Sequence, residues 1–477
     1  MLARVRPYIL LFLGLNVVYH ANLRPIDASD TLPASLIPFS IVLDHSITLR
    51  RFAPWLRGHV WYSRYVTHKK HDHVFSSYPI GAPVLLSPLY LPAAFIGLRN
   101  WDPESLVILA RIVEKFVSAA VAALSAVLLL LLLERITSRG WAWALTLVYA
   151  LATETWAISS QALWQHGPGE LAIVGALLAF ECWASRPSRD HCLWICGACV
   201  AAAITIRPTN AVLLPALAVG LYLAKPSTRQ WIALFAPCVV IGGLLAAYNW
   251  HVFQRLSGGY AASGAHKSWL GATAGLLVSP SRGILIYTPV VLFAIFAFLP
   301  RAAAARHRQR PLFVAAASLL FLLLAAISAS TSLSPSVVWW GGYCWGPRML
   351  TELAPPLIVL MAFGVATIDQ PWVRRAFATL AIYSMSTQVV GVFFYPNGHW
   401  DGLPEPINAT GGRLWDWRDN PVARTIRGGF YWEPYAIVGA GMTGGLSAAA
   451  QRMRDLNVNP YEQAQPKKVS RPKRGLP

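Results

Sequence analysis

The sequence predicts an all-α polytopic membrane protein, a bundle of about 11–13 transmembrane helices with a long first extracytoplasmic loop. Three observations carry this. Hydrophobic residues make up 55% of the 477 positions and charged residues only 13%, where a soluble domain carries about 25% charged residues. Apolar runs recur at the length a bilayer core requires of a helix. The 20 Trp and 17 Tyr suit a chain with two water–lipid interfaces. These exclude a soluble multidomain protein and a disordered one.

In chain order, the expected spans are 7–21, 105–133, 140–158, 167–184, 192–206, 210–224, 231–253, 284–300, 311–329, 352–369, 373–396 and 434–450. The opening Met1-Leu2-Ala3-Arg4-Val5-Arg6 before an apolar run resembles a signal peptide. The cleavage site arguable at Tyr19-His20-Ala21 lacks a small residue three back, so an uncleaved first helix is expected. The first outer loop is 22–104. Within it, 79–98 is apolar but holds Pro79, Pro83, Pro88 and Pro92. Each proline removes a backbone donor, so a broken or re-entrant element is expected there. Residues 1–450 form the transmembrane domain, and 451–477 a basic, disordered cytoplasmic tail.

Charge supports this arrangement. With the N-terminus inside and 79–98 returning to its own side, the segments 134–139, 185–191, 225–230, 301–311, 370–375 and the tail carry 19 Lys and Arg. The outer loops 159–166, 207–209, 254–283, 330–351 and 397–433 carry nine. The net charge of +19 therefore reads as an orientation signal. Membrane lipids are expected partners and nucleic acid is not. Cys192, Cys196 and Cys199 share one helical face, with no His or carboxylate at ligand spacing, and read as small apolar packing.

Several ionisable residues do not belong in lipid. Arg111, Glu114 and Lys115 stand at i, i+3, i+4 on one helical face. Glu154, Glu170, Asp27, Asp30, His166 and Arg207 fall at the same depth in this topology, which points to a wet cavity open to the outer side. A structural Arg111–Glu114 pair is an equal reading. Asp30, just past the first helix, reads either as a general base or as the cap of a helix beginning near Thr31; Asp27 is its competitor. His68-Lys69-Lys70-His71-Asp72-His73 has metal-ligand types but reads better as a solvated turn. Arg348, after Gly341, Gly342 and Gly346, reads as a phosphate clamp or an interfacial snorkelling side chain, and Arg282 is of the same sort. Trp164, Trp339, Trp340, Tyr343 and Trp345 suit stacking on a sugar face or anchoring at the interface. Asn408-Ala409-Thr410 matches a glycosylation sequon.

The order of short motifs resembles the GT-C superfamily of membrane glycosyltransferases, in particular the bacterial members related to protein O-mannosyltransferases and aminoarabinose transferases. Ser29-Asp30-Thr31, followed by Leu36-Ile37-Pro38 and Leu43-Asp44, is similar to that family's first-loop Asp motif. Ser76-Ser77-Tyr78-Pro79-Ile80-Gly81 looks like the proline-rich element after it. Gly275-Leu276-Leu277 through Ser279-Pro280-Ser281-Arg282-Gly283 to Tyr287-Thr288-Pro289 resembles a middle segment of uncharacterised bacterial members. Trp340-Gly341-Gly342 through Gly346-Pro347-Arg348-Met349-Leu350 to Pro355-Pro356 is similar to their late loop motif. Thr31 stands where the family often has Glu, and no acid lies at His166-Gly167, which leaves donor and acceptor open.

The resemblance implies a multi-pass protein of the bacterial cytoplasmic membrane with its site on the extracytoplasmic side. It would move a sugar from a polyprenyl-phosphate donor to a hydroxyl of a glycan, lipid or protein by inverting single displacement. Asp30, with Asp27 as alternative, would be the base. Arg348, with Arg282 or Arg111, would stabilise the departing phosphate, and His166, Trp164, Tyr343 and Trp340 would contact substrate. No cofactor is implied, and a divalent metal finds no support in the sequence. Three other readings stay open: a transporter or lipid-linked glycan flippase, a polyprenyl-diphosphate glycan polymerase or ligase, and a non-catalytic scaffold.

Overall fold

A computed structural model describes residues 2–24, 26, 28, 30–58, 66–69, 73–259, 268–333 and 338–455. The described chain is helical apart from one antiparallel strand pair, β1 (Val66–Lys69) and β2 (His73–Ser76), in register Val66↔Ser76. The principal helices are α1 (Leu2–His20), α2 (Leu32–Asp44), α3 (Pro103–Ile136), α4 (Arg139–Leu151), α5 (His166–Ala184), α6 (Asp190–Ile206), α7 (Leu213–Leu223), α8 (Thr228–Phe253), α9 (Arg310–Leu333), α10 (Ala354–Gly364), α11 (Pro371–Phe393) and α12 (Glu433–Asp455).

Five of these, α3, α5, α8, α9 and α11, are long and apolar enough to cross a membrane. A sixth span exists if the pair Pro289–Phe298 and Pro300–Arg308, bent by 72°, counts as one. The sequence expectation of 11–13 spans included shorter helices such as α6 and α7, so the difference has a local cause. Proline divides several apolar runs: Pro208 and Thr209 separate α6 from α7, and Pro300 breaks the run from 289. The stretch 79–98 is likewise divided, into Gly81–Leu86, Ser87–Tyr90 and Pro92–Phe95. Gly81 lies against the Thr205 backbone at the end of α6, where a Cβ would clash.

The helix α8 states the solvent requirement most directly. Only 11% of its apolar window is buried inside the protein, and Val239, Val240, Leu244 and Trp250 are exposed. An apolar helix left this bare needs an apolar surrounding medium. The chain is thus an all-α, membrane-embedded, multi-pass protein.

The main core joins α1, α3, α4, α5, α6, α9 and α10. α3 is its mast, packing against α1, α4 and α5, while α5 packs on α6 and α6 on α8. A second core forms where α2 lies on the upper part of α3 through Leu36, Phe39 and Val107. α4 ends at Leu151. A π-helical turn, Thr155–Ser159, then leads into a short buried segment before α5. Such π-turns recur at functional sites, and this one brings Gln161 and Trp164 beside the exit of α1.

Candidate active site

Asp30 precedes α2. Thr31 is the N-cap residue of that helix but makes no side-chain cap bond, and the Asp30 carboxylate is directed elsewhere. Arg348 Nη1 donates to Asp30 Oδ2 at 2.7 Å across 318 positions of sequence. The cap reading of Asp30 is therefore not the arrangement observed. Asp30 Oδ1 makes no hydrogen bond to another described residue.

The loop that delivers Arg348 depends on glycine. Gly341, Gly342 and Gly346 have φ of 73°, 72° and 56°, a region that costs other residues about 1–2 kcal/mol. The chain folds back so that Arg348 Nη2 donates to the Gly341 carbonyl at 2.5 Å. The guanidinium lies 4.2 Å from the ring centre of Trp164, a cation–π contact. Burial alone would lower the Arg348 pKa, but the charge of Asp30 outweighs it and the guanidinium is held above its ordinary value. Arg348 is thus a fixed, fully charged group rather than a snorkelling one.

The other predicted arginines are also engaged. Arg282 is ion-paired with Asp401 and donates to the carbonyls of Trp340 (3.0 Å) and Gly342 (3.3 Å). Tyr395 donates its hydroxyl proton to the second Asp401 oxygen at 2.6 Å. Ser279 and Ser281 hold the Leu414 carbonyl. This network fastens loop 397–420 to the Gly341–Arg348 loop. Arg111 bonds Glu114 (3.0 Å), Thr31 Oγ1 (3.1 Å) and the Ala28 carbonyl (3.2 Å), tying α3 to the first loop. Glu114 accepts from the Leu163 amide as well. His166 Nδ1 is 2.9 Å from Glu352, which also takes Arg207 Nη1 at 2.5 Å. Glu170 accepts from Thr155 and Ser159 of the π-turn at 2.8 and 2.5 Å.

Beside the Asp30–Arg348 pair, and sharing Trp164 with it, is a small cleft. Asn22 and Arg24 from the α1 exit, Gln161 and Trp164 from the π-turn segment, Tyr343 and Trp345 from the late loop, and Gly391 and Tyr395 at the end of α11 line it. Gly391 is required there: a Cβ would strike the Trp345 indole. Burial raises the Tyr343 hydroxyl pKa, with Asp401 adding to the shift, so the phenol stays protonated.

Of the sequence-chosen residues, Asp30, Arg348 and Trp164 meet directly, and Tyr343 lines the adjoining cleft. Arg282 stands one loop away. Trp340 is turned toward loop 397–420, packing against the Trp400, Ile407 and Leu414 cluster, with its Nε1 donating to Asn408 Oδ1 at 3.0 Å. His166 and Arg111 serve buried carboxylates. Asp27 and residues 70–72 of the histidine-rich segment lie outside the described residues, as does most of the basic tail. Among the described residues no three His, Cys, Asp or Glu gather as a metal site, and the six cysteines are free. Sequence reading missed Asp401, Glu352, Arg24 and Gln161. Glu352 carried a usable signal, a lone carboxylate opening the apolar run 352–369. No model of a known protein family matches the chain, and no curated protein does.

Proposed function

We propose that this protein is an integral-membrane glycosyltransferase of the GT-C type, moving a sugar from a polyprenyl-phosphate donor to a hydroxyl acceptor on the extracytoplasmic side. The observation that carries the reading is the Asp30–Arg348 contact beside an aromatic-lined cleft. Asp30 Oδ1 accepts the proton of the acceptor hydroxyl as its oxygen attacks the anomeric carbon. The bond from that carbon to the phosphate oxygen breaks with inversion, and the electron pair leaves on the lipid phosphate. That group is a weak base, so no general acid is required. Arg348, held on the other Asp30 oxygen, fixes the orientation of the carboxylate and adds a positive potential where negative charge grows. The planar walls of Trp164 and Tyr343 suit the apolar face of a sugar ring.

Asp30→Asn keeps the shape of the site and removes the base. The expected result is loss of glycosyl transfer, on the order of 10²–10⁴-fold, with insertion and thermal unfolding of the purified protein close to wild type. Normal turnover by this variant overturns the assignment. A transport reading draws on the buried ionisable groups Lys115 and Glu170 within α3 and α5. Uptake or lipid flipping in liposomes, with no covalent product, would select it instead.

A further inference from the structure

Arg348 begins a six-residue 3₁₀ helix, Arg348–Leu353, that runs into α10. Helices of this kind bond poorly and are usually shorter. The start of α10 gives this one little support, because Pro355 and Pro356 bring no N–H back toward the carbonyls of Thr351 and Glu352. The place of Arg348 therefore depends on side chains.

Glu352 is fully buried. Its Oε2 takes Arg207 Nη1 at 2.5 Å and His166 Nδ1 at 2.9 Å. A carboxylate only accepts, so His166 Nδ1 carries the proton of that bond. Arg207 stands at the break between α6 and α7, and His166 opens α5. Close approach of α5 relies on glycine: a Cβ at Gly169 would stand 3.3 Å from Glu352 Oε1 and 3.2 Å from Asn210 Nδ2.

Two parallel ties result. Trp164 lies against the Arg348 guanidinium. His166, two residues further on, bonds Glu352, four residues beyond Arg348. One segment thus grips the 3₁₀ helix at two points. That segment is itself anchored, since Glu170, one turn along α5, accepts from Thr155 and Ser159 of the π-turn. Arg207 already balances the charge of Glu352. What His166 adds is location rather than neutrality.

We infer that Glu352, through His166, is a positioning residue for Arg348. It sets where along α5 the 3₁₀ helix sits, and so where the guanidinium meets Asp30 and Trp164. His166 acts here without touching substrate. The inference rests on the proposed reaction, in which Arg348 orients the Asp30 carboxylate.

The test uses the full chain in nanodiscs and variants at His166, which leave the Arg207–Glu352 pair in place. His166→Phe keeps a ring and deletes the bond. His166→Asn puts an amide N–H close to where Nδ1 stood. Two quantities are followed: sugar transfer from a polyprenyl-phosphate donor, and the isotope-labelled side-chain resonance of Arg348, assigned by its disappearance in Arg348→Lys. For His166→Phe the expected result is a fall in kcat of about 10²-fold, KM within about twofold of wild type, and a displaced Arg348 resonance. His166→Asn should restore most of both. Should His166→Phe fail to fold, Gly169→Ala takes its place: it crowds Glu352 while keeping every bonding group, and kcat should fall about tenfold. A folded His166→Phe with wild-type kcat overturns the inference. So does a loss in both His166 variants that only follows their thermal unfolding. Wild-type protein that transfers no sugar overturns the proposed reaction, and the resonance then decides the positioning by itself. Displaced in His166→Phe and restored in His166→Asn, it upholds the tie; unmoved in both, it refutes it.

Discussion

The two sides of Trp164 are built on opposite principles. On one side lie Arg348–Asp30 and, one loop away, Arg282–Asp401; each guanidinium faces a carboxylate and also donates to loop carbonyls. On the other side Arg24 and Lys115 face, among the described residues, neutral oxygens and aromatic rings. The first arrangement holds geometry through opposite charges. The second is held by neutral groups. Ionisable residues in one membrane protein thus divide into those fixed by an opposite charge and those held by neutral partners, and the divide follows the location of the carboxylates rather than that of the basic groups.

The contrast makes its largest prediction in the buried network. Asp401→Asn leaves Arg282, 1% exposed, without its counter-charge. Removing one partner of a buried pair costs about 3–5 kcal/mol, and loop 397–420 loses its fastening to the Gly341–Arg348 loop. Arg24→Gln removes a charge with no described carboxylate on it and loses only a bond to the Tyr395 carbonyl and contacts with the Tyr395 and Tyr431 rings, so it should cost less, about 1–2 kcal/mol. Thermal unfolding of both variants in one detergent measures this. Similar losses for the two would break the division.

Much of the fold was legible because it follows from solvent. Apolar runs gave the helices, and proline at 79–98 and 208 gave two of the breaks; the bend at Pro300 was not expected from the run 284–300. Of the site, Asp30 and Arg348 were legible through short motifs, and the glycines before Arg348 announced the turn that delivers it. Their partnership was not legible from spacing, because contacts across 318 positions are set by how α2 packs on α3 and how the late loop folds over them. The same holds for Arg282 and Asp401, 119 positions apart. Arg24 and Lys115 were visible as charges, but what distinguishes them is that no carboxylate among the described residues pairs with them, a property of the assembled bundle. Nor did periodicity reveal the π-turn that brings Gln161 and Trp164 to the α1 exit.

A smaller effect is expected in the turn itself. In Gly341→Ala the new Cβ would stand 3.2 Å from Cys344 Sγ and 3.4 Å from Arg348 Nε, at a φ of 73°. The backbone strain is about 1–2 kcal/mol. Its consequence for turnover should exceed its consequence for folding, because relief of the crowding moves Arg348 away from Asp30. Transfer should fall while thermal unfolding shifts by no more than that strain. A variant that unfolds early and turns over normally would show that the turn serves the fold and not the Arg348–Asp30 contact.

The smallest change is at Trp164, which the Arg348 pair and the cleft share. Trp164→Phe keeps an aromatic face under Arg348 and deletes the indole N–H. That donor is buried and unpartnered in the folded chain, so its removal relieves an unmet desolvation cost, while the smaller ring weakens the cation–π contact by a few tenths to about 1 kcal/mol. The two terms oppose, and unfolding should shift by less than about 1 kcal/mol in either direction. Transfer has no such compensation, because the ring that loses area is the one under Arg348, and turnover should drop severalfold at unchanged stability. If stability falls instead and turnover does not, Trp164 is packing alone and does not hold Arg348 for the reaction.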